Sequence, residues 1–260
     1  MGSFYFKKFS VRQTSSAMKV NTDGVLLPAW VSLPDTDKGV LRVLDIGTGT
    51  GVISLIIAQR LSEKSGSFQV DAIDIDKDAA NEAKLNFENS PWSSRLSSEH
   101  ISLQELVKSE QSDTGSGLKR YSLIVSNPPF FTNSLKSPSQ RKTLARHNCE
   151  LPFSDLLSGV VLLLEPNGIF AVVLPSDQAE LLISTALDYG LYPCRLCRIK
   201  TLAGKRDKRC LIEFSKNEKA SLIEEALVMQ IAGGVLYTPE YCSLVGDYYL
   251  KEFSSTKSSD

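Results

Sequence analysis

The sequence has no apolar run approaching the roughly 18–20 residues that a bilayer-spanning helix needs, so nothing in it points to a membrane. It also lacks an excess of charge: 29 Lys and Arg stand against 30 Asp and Glu, a net of -1. A chain so balanced is not a basic nucleic-acid binder as a whole, and any such contact must rest on a local patch. Cysteine is sparse and scattered, at 149, 194, 197, 210 and 242. Cys194 and Cys197 form one C-x-x-C, but no second pair and no histidine cluster completes a zinc site. Both lie in a strand-like run, where residues three apart face opposite ways. They read as reduced thiols of a cytoplasmic protein, with no metal expected. The opening stretch Met1–Lys8 lacks a basic-then-apolar signal. Phe6 stands where a myristoylation motif needs Ser or Thr.

What is present is an ordinary globular balance, 42% hydrophobic and 23% charged over 260 residues, enough for one large domain with appendages. Residues 1–40 read as a leader, packing on a cofactor site and ending in the turn-rich Pro34–Gly39. Strands and helices then alternate. Leu41–Ile46 reads as a strand and Gly51–Leu61 as a helix; Phe68–Ile75 and Asp76–Glu88 repeat the pair. Ile101–Leu103 reads as a short strand before a Ser/Gly-rich loop at Ser109–Gly117, and Tyr121–Val125 as a buried strand. Phe153–Leu164 reads as a helix stopped by Pro166-Asn167-Gly168, followed by a strand at Ile169–Leu174 and a helix at Asp177–Tyr189. Two extended runs, Leu191–Thr201 and Lys208–Ser215, then form a hairpin-like end. The pattern predicts an α/β fold with a doubly wound, mostly parallel sheet, helices on both faces and an antiparallel edge. The main domain is expected over 41–216, an extension of it over 217–253 and a disordered tail over 254–260.

Asp45-Ile46-Gly47-Thr48-Gly49-Thr50-Gly51 stands where the first of these strands meets its helix. Glycines there let the backbone turn sharply and approach a ligand. Val52 occupies the position where a dinucleotide fingerprint needs Gly or Ala, and no Lys-Ser/Thr pair follows, so neither a dinucleotide nor a nucleoside triphosphate is indicated. Asp45 would repel a pyrophosphate. It suits a ligand with an ammonium group and no phosphate, as S-adenosylmethionine has. Asp74 closes the second strand, where a carboxylate accepts from ribose hydroxyls, and Ile75 could pack on an adenine face. Gln104 or Glu105 would meet the adenine amino group. A tight turn with no ligand is the plain alternative for the glycines alone.

Ser126-Asn127-Pro128-Pro129-Phe130 ends the strand at Tyr121–Val125, because two prolines cannot continue it. It leaves an amide side chain, free carbonyls and a flat ring at the carboxyl end. That set can grip a planar amino group: the Asn127 oxygen and the Pro128 carbonyl accept its hydrogens, and Phe130 stacks on it.

These residues resemble the class I S-adenosylmethionine-dependent methyltransferases of the Asn-Pro-Pro-Tyr/Phe type, which act on amino groups. The resemblance implies a Rossmann-like, seven-stranded sheet with a terminal antiparallel hairpin. It narrows at the ends of the chain. Phe4–Phe9, Met18–Leu27, Tyr237–Tyr241 and Asp247–Lys251 are similar to the leader and tail of the bacterial valine-tRNA adenine N6-methyltransferases, from about residue 4 to 252. The departures are Asn21, where a glycine is usual, and a poorly matched third acid. What the resemblance implies is transfer of a methyl group to adenine-37 beside the anticodon, with tRNA as partner, S-adenosylhomocysteine as product and a monomer favoured. Thr22-Asp23-Gly24 would cap the methionine end of the cofactor, or simply cap the following helix.

Two clusters could meet the phosphates of such a substrate. One is Lys136, Arg141, Lys142, Arg146 and His147. The other is Arg195, Arg198, Lys200, Lys205, Arg206, Lys208 and Arg209 on the hairpin, which as a charge run is as readily a solvated face. The same Asn-Pro-Pro-aromatic chemistry serves a protein glutamine N5-methyltransferase acting on release factors, or a ribosomal RNA guanine N2-methyltransferase. The first resembles proteins with a helical leading domain and the second ones with a duplicated leading domain. The 40 residues before the first strand lead us to expect neither.

Overall fold

A computed structural model of the chain describes residues 2–34, 39–64, 66–112, 119–129, 151–231 and 236–250. In chain order its elements are β1 (Ser3–Tyr5), β2 (Ser10–Arg12), α1 (Thr22–Trp30), β3 (Val40–Ile46), α2 (Val52–Ser62), β4 (Ser67–Asp74), α3 (Lys77–Glu88), β5 (Leu96–His100), α4 (Leu103–Ser112), β6 (Tyr121–Ser126), α5 (Phe153–Leu163), β7 (Leu164–Pro175), α6 (Ser176–Asp188), β8 (Tyr192–Leu202), β9 (Arg209–Ser215), β10 (Ile223–Gln230) and α7 (Pro239–Val245). The main sheet runs β10-β8-β9-β7-β6-β3-β4-β5. Only β9 is antiparallel to its neighbours.

The central strands are near-continuous apolar runs because helices cover both of their faces. In β3, Leu41 and Val43 enter one core with α1 and α2, while Leu44 and Ile46 enter the other with α4, α5 and α6. The same division splits Ala171 and Val173 of β7 from Phe170, Val172 and Leu174. On α3 the spacing of Ala79, Ala80, Ala83 and Phe87 does place them on the buried side.

Three expectations need correction. Among the described residues the sheet has eight strands, not seven: the eighth is β10, which pairs in parallel with β8. The third parallel strand is Leu96–His100 and not Ile101–Leu103. Leu103 instead begins α4, where it is buried with Leu106 and Val107 at helical spacing. The Ser/Gly-rich loop also begins later, since α4 continues to Ser112. Both strands are edges of the sheet and bury one residue each, Leu96 in β5 and Leu227 in β10, so neither shows the long buried run of a central strand. Ser102 and Glu105 form the start of α4 as a capping box: Ser102 Oγ accepts from the Glu105 N–H, and Glu105 Oε2 accepts from Ser102 N at 3.0 Å.

Candidate active site

Strand register brings the two motifs together. Ile46 pairs with Ser126 on one side and with Ile73 on the other. Gly47, Asn127 and Asp74 therefore follow three neighbouring strand ends, at the carboxyl edge where open α/β sheets bind ligands. Ser126 Oγ donates to the Ile46 carbonyl at 2.9 Å and pins the two ends side by side. The glycine loop then folds over β4: Gly47 N and Thr48 N both donate to the Ile73 carbonyl, and Gly49 N donates to Asp74 Oδ2 at 2.8 Å.

A cavity of about 300 Å³ opens at this edge, lined among others by Gly47, Gly49, Asp74, Ile75, Asn127 and Pro128. Its size is that of a small-molecule site. The Asn127 side chain is buried, its Oδ1 has no hydrogen-bond partner among the described residues, and its Nδ2 faces the Met18 sulfur at 3.8 Å. Asp74 accepts from Gly49 N with one oxygen and from Asp76 N with the other. Burial raises its pKa, against those two bonds. Each oxygen keeps a second lone pair.

Several expected contacts sit elsewhere. Asp45 does not reach the cavity wall; it lies fully buried behind the loop, where its Oδ2 accepts from Thr48 Oγ1 at 2.8 Å and Ser54 Oγ at 2.7 Å. Its Oδ1 has no hydrogen-bond partner among the described residues. Burial pushes its carboxyl up to about 6, although Ser54 and Thr48 favour the anion. Gly51 packs against Phe87 rather than the cavity. Thr22 opens α1 without lining the cavity, and Asn21, the N-cap that accepts from Gly24 N, lines it instead together with Gly24. Of the pair after β5, Gln104 lines the cavity and donates to Asp155 at 3.1 Å, while Glu105 is taken up in its capping box. Phe130 and the cluster at Lys136, Arg141, Lys142, Arg146 and His147 lie outside the described residues.

The leader, expected to pack on the cofactor site, supplies a cavity wall through Ser16, Ala17, Met18 and Lys19, none of which was among the expected cofactor contacts. The hairpin cluster is smaller than its sequence suggests. Arg195 lies over the Trp30 ring and pairs with Glu225 at 3.0 Å, Arg209 pairs with Asp23 at 2.7 Å, and Arg198 with Asp207 at 3.6 Å. Lys205 and Arg206 are exposed on the turn between β8 and β9. Because β9 is antiparallel to both β7 and β8, that turn rises at the same sheet edge as Asn127.

Residues 31–150 match the Methyltransferase small domain family. A tRNA1(Val) (adenine(37)-N6)-methyltransferase from Flavobacterium psychrophilum is 41% identical over 248 residues, which cover 95% of this chain and 99% of that protein. The protein of the same name from Bacteroides fragilis is 42% identical over 248 residues, covering 95% of this chain and 98% of that one. The chain belongs to this methyltransferase family. A crystal structure of a predicted O-methyltransferase from Agrobacterium tumefaciens superposes with a TM-score of 0.63 at 18% identity, over 87% of this chain and 96% of that one, a likeness of fold. Membership covers nearly the whole length, so it takes in the leader wall and α7 as well as the sheet.

Proposed function

We propose that the chain transfers a methyl group from S-adenosylmethionine to the exocyclic N6 of adenine-37 in a valine tRNA, acting as a cytoplasmic monomer. The observation that carries the chemistry is the buried, unpartnered Asn127 Oδ1 on the cavity wall. An orphaned buried acceptor costs about 1–3 kcal/mol, so a site that keeps one is built to receive a donor. The relatives' names supply adenine as that donor.

The residues present fit S-adenosylmethionine. No heavy atom lies within 4 Å of where a Cβ on Gly47 would stand, which leaves a cradle for a ligand's backbone-side contact. Asp74 offers lone pairs to ribose hydroxyls, Ile75 an apolar face, and Gln104 an amide oxygen to the adenine. When bound, the cofactor supplies an electrophilic methyl group on a sulfonium. The protein's part is to hold the acceptor nitrogen. Adenine's amino lone pair is delocalised into its ring. Asn127 Oδ1 and the Pro128 carbonyl, accepting one hydrogen each, stabilise the positive charge that grows on nitrogen. The methylated nitrogen is acidic enough to release its proton to water, so no strong base is required. The target base must leave its stack to arrive.

The test uses labelled S-adenosylmethionine with unmodified total tRNA and, separately, with release factors. Label recovered as N6-methyladenine is the expected result; label in protein alone, or as a guanine product, refutes the proposal.

Lys205 and Arg206 are proposed to touch phosphates of the substrate. Replacing both with Ala should weaken tRNA binding about tenfold near 0.1 M salt and reduce the slope of log K against log[salt] by about 1–2. Filter binding across a salt series measures this. An unchanged slope would show the turn to be a solvated face.

Asp45 gives a pH prediction. Its folded pKa, about 6, lies above the ordinary 3.8. The folded chain therefore holds this proton more tightly than the unfolded chain. Stability from this group is greatest at low pH and falls as pH rises from about 4 to about 6, by roughly 3 kcal/mol in all. A cationic ligand favours the anion, so cofactor binding at pH 6 should release protons and tighten toward pH 7.5. Calorimetry in two buffers of different ionisation enthalpy reads the release; Asp45→Asn should reduce it, leaving the part due to Asp74, whose pKa burial also raises. Undiminished proton release in Asp45→Asn contradicts the assignment.

A further inference from the structure

The leader wall of the cavity is not held by apolar packing. From Arg12 to Lys19 only Ser16 is buried. It is held by two buried side chains one turn apart on α3, Glu82 and Asn86. Three consecutive leader amides converge on Glu82: Thr14 N at 2.6 Å and Ser15 N at 3.0 Å on Oε1, and Ser16 N at 2.7 Å on Oε2. Thr14 Oγ1 adds a fourth bond at 2.9 Å. Successive N–H groups curled around an anion form a nest, the arrangement many proteins use for phosphate; here the anion is the protein's own. Asn86 accepts from Arg12 N at 2.8 Å and donates to the Arg12 carbonyl at 2.9 Å and to the Thr50 carbonyl at 2.8 Å. It thereby ties the leader to the glycine loop. Directly beyond the nest come Ala17, Met18 and Lys19 on the cavity wall, with Met18 against the Asn127 amide.

We propose that Glu82 is a positioning residue for methyl transfer: its charge seats the leader on α3 and so fixes the wall that closes over the cofactor and orients Asn127. This rests on reading the cavity as the cofactor site. An ionised carboxylate only accepts, and can serve four donors. The isosteric glutamine offers one acceptor oxygen, and its amide hydrogens would face a leader N–H. Glu82→Gln thus removes the seat without changing its volume.

The experiment compares the wild type with Glu82→Gln, Thr14→Val and Leu182→Ala. Leu182 is buried in the opposite core, so its variant is a control for lost stability. S-adenosylhomocysteine binding is measured by calorimetry, single-turnover transfer at saturating cofactor, and amide hydrogen exchange by peptide. Glu82→Gln should bind about tenfold more weakly, in keeping with the loss of charge-assisted bonds. It should also slow transfer and speed exchange over residues 12–19 while leaving the rest of the sheet protected. Thr14→Val, on an exposed residue, should shift affinity in the same direction by about two- to threefold. Leu182→Ala should lower Tm and leave affinity unchanged. The proposal is overturned if Glu82→Gln binds, transfers and exchanges as the wild type does, or if Leu182→Ala reproduces its losses. Should Glu82→Gln not fold, an unchanged affinity in Thr14→Val overturns it. A wild type that binds no S-adenosylhomocysteine counts against the cavity's reading itself, and the role proposed for Glu82 falls with it.

Discussion

Asn127→Ala is expected to reduce methyl transfer by about 10²–10³-fold, the usual effect of removing one preorganised group aimed at developing charge, while cofactor affinity stays close to that of the wild type. The separation follows from placement. Gly47, Gly49 and Asp74 form their own hydrogen-bonded unit on β4, none of whose bonds involves Asn127. Asn127 follows β6, which β3 separates from β4, and among the described residues its Oδ1 has no partner. Truncation therefore removes an acceptor that, on the proposed function, finds its partner in the substrate. Folding stability should change little, or rise, because a buried unsatisfied oxygen is deleted. Asn127→Asp should keep more of the rate than alanine, since a carboxylate oxygen also accepts. Single-turnover rates with saturating cofactor and tRNA decide the matter. Undiminished turnover in Asn127→Ala would remove the amide from the mechanism, and a parallel loss of cofactor affinity would make it part of the cofactor cradle instead.

The parts of the fold legible in sequence are those where one physical demand dominates. β3, β6 and β7 are covered on both faces, so each carries a near-continuous apolar run, and these runs stand out. The glycine loop is legible because its turn needs backbone angles that other residues resist. Edge strands carry no such demand. Leu96-Ser97-Ser98-Glu99-His100 has one buried residue, and β10 has only Leu227. The Ser102-x-x-Glu105 spacing did announce a helix start, and reading it would have moved the strand to its place and left Gln104 rather than Glu105 facing the cavity. The leader was expected on the cofactor site, but nothing local showed what seats it there. Its anchors, Glu82 and Asn86, stand 66 to 74 residues away. Asp45 was legible as an acid at a strand end but not as a buried one. Whether such a side chain turns toward the cavity or behind the loop depends on Thr48 and Ser54, whose hydroxyls compete for it.

Gly51→Ala should be the most damaging single methyl group in the molecule. Gly51 has φ +80°, and a Cβ there would stand 2.5 Å from Phe87 Cε1 and 3.3 Å from the Ala83 Cβ. The left-handed backbone costs about 1–2 kcal/mol, and forcing a methyl into a filled core about 1–3 kcal/mol more. For a chain of this size the sum lowers Tm by on the order of 10 °C. Affinity falls too, because Gly51 N closes the loop on the Thr48 carbonyl and its own carbonyl accepts from Leu55 N to start α2. Phe87→Ala added to Gly51→Ala relieves the collision but not the backbone strain, so it should recover less than the collision cost once its own cavity is counted. Gly47→Ala is the informative contrast. It shares the left-handed backbone, φ +74°, but meets no heavy atom within 4 Å. Its stability loss should be the backbone part alone, while its loss of cofactor affinity should match or exceed that of Gly51→Ala, because the added methyl stands where the ligand must lie. Thermal denaturation and calorimetric titration of both variants separate the two glycines. If Gly47→Ala binds the cofactor as the wild type does, the open space beside that residue is not the cradle, and the donor must lie further toward Ile75 and Gln104.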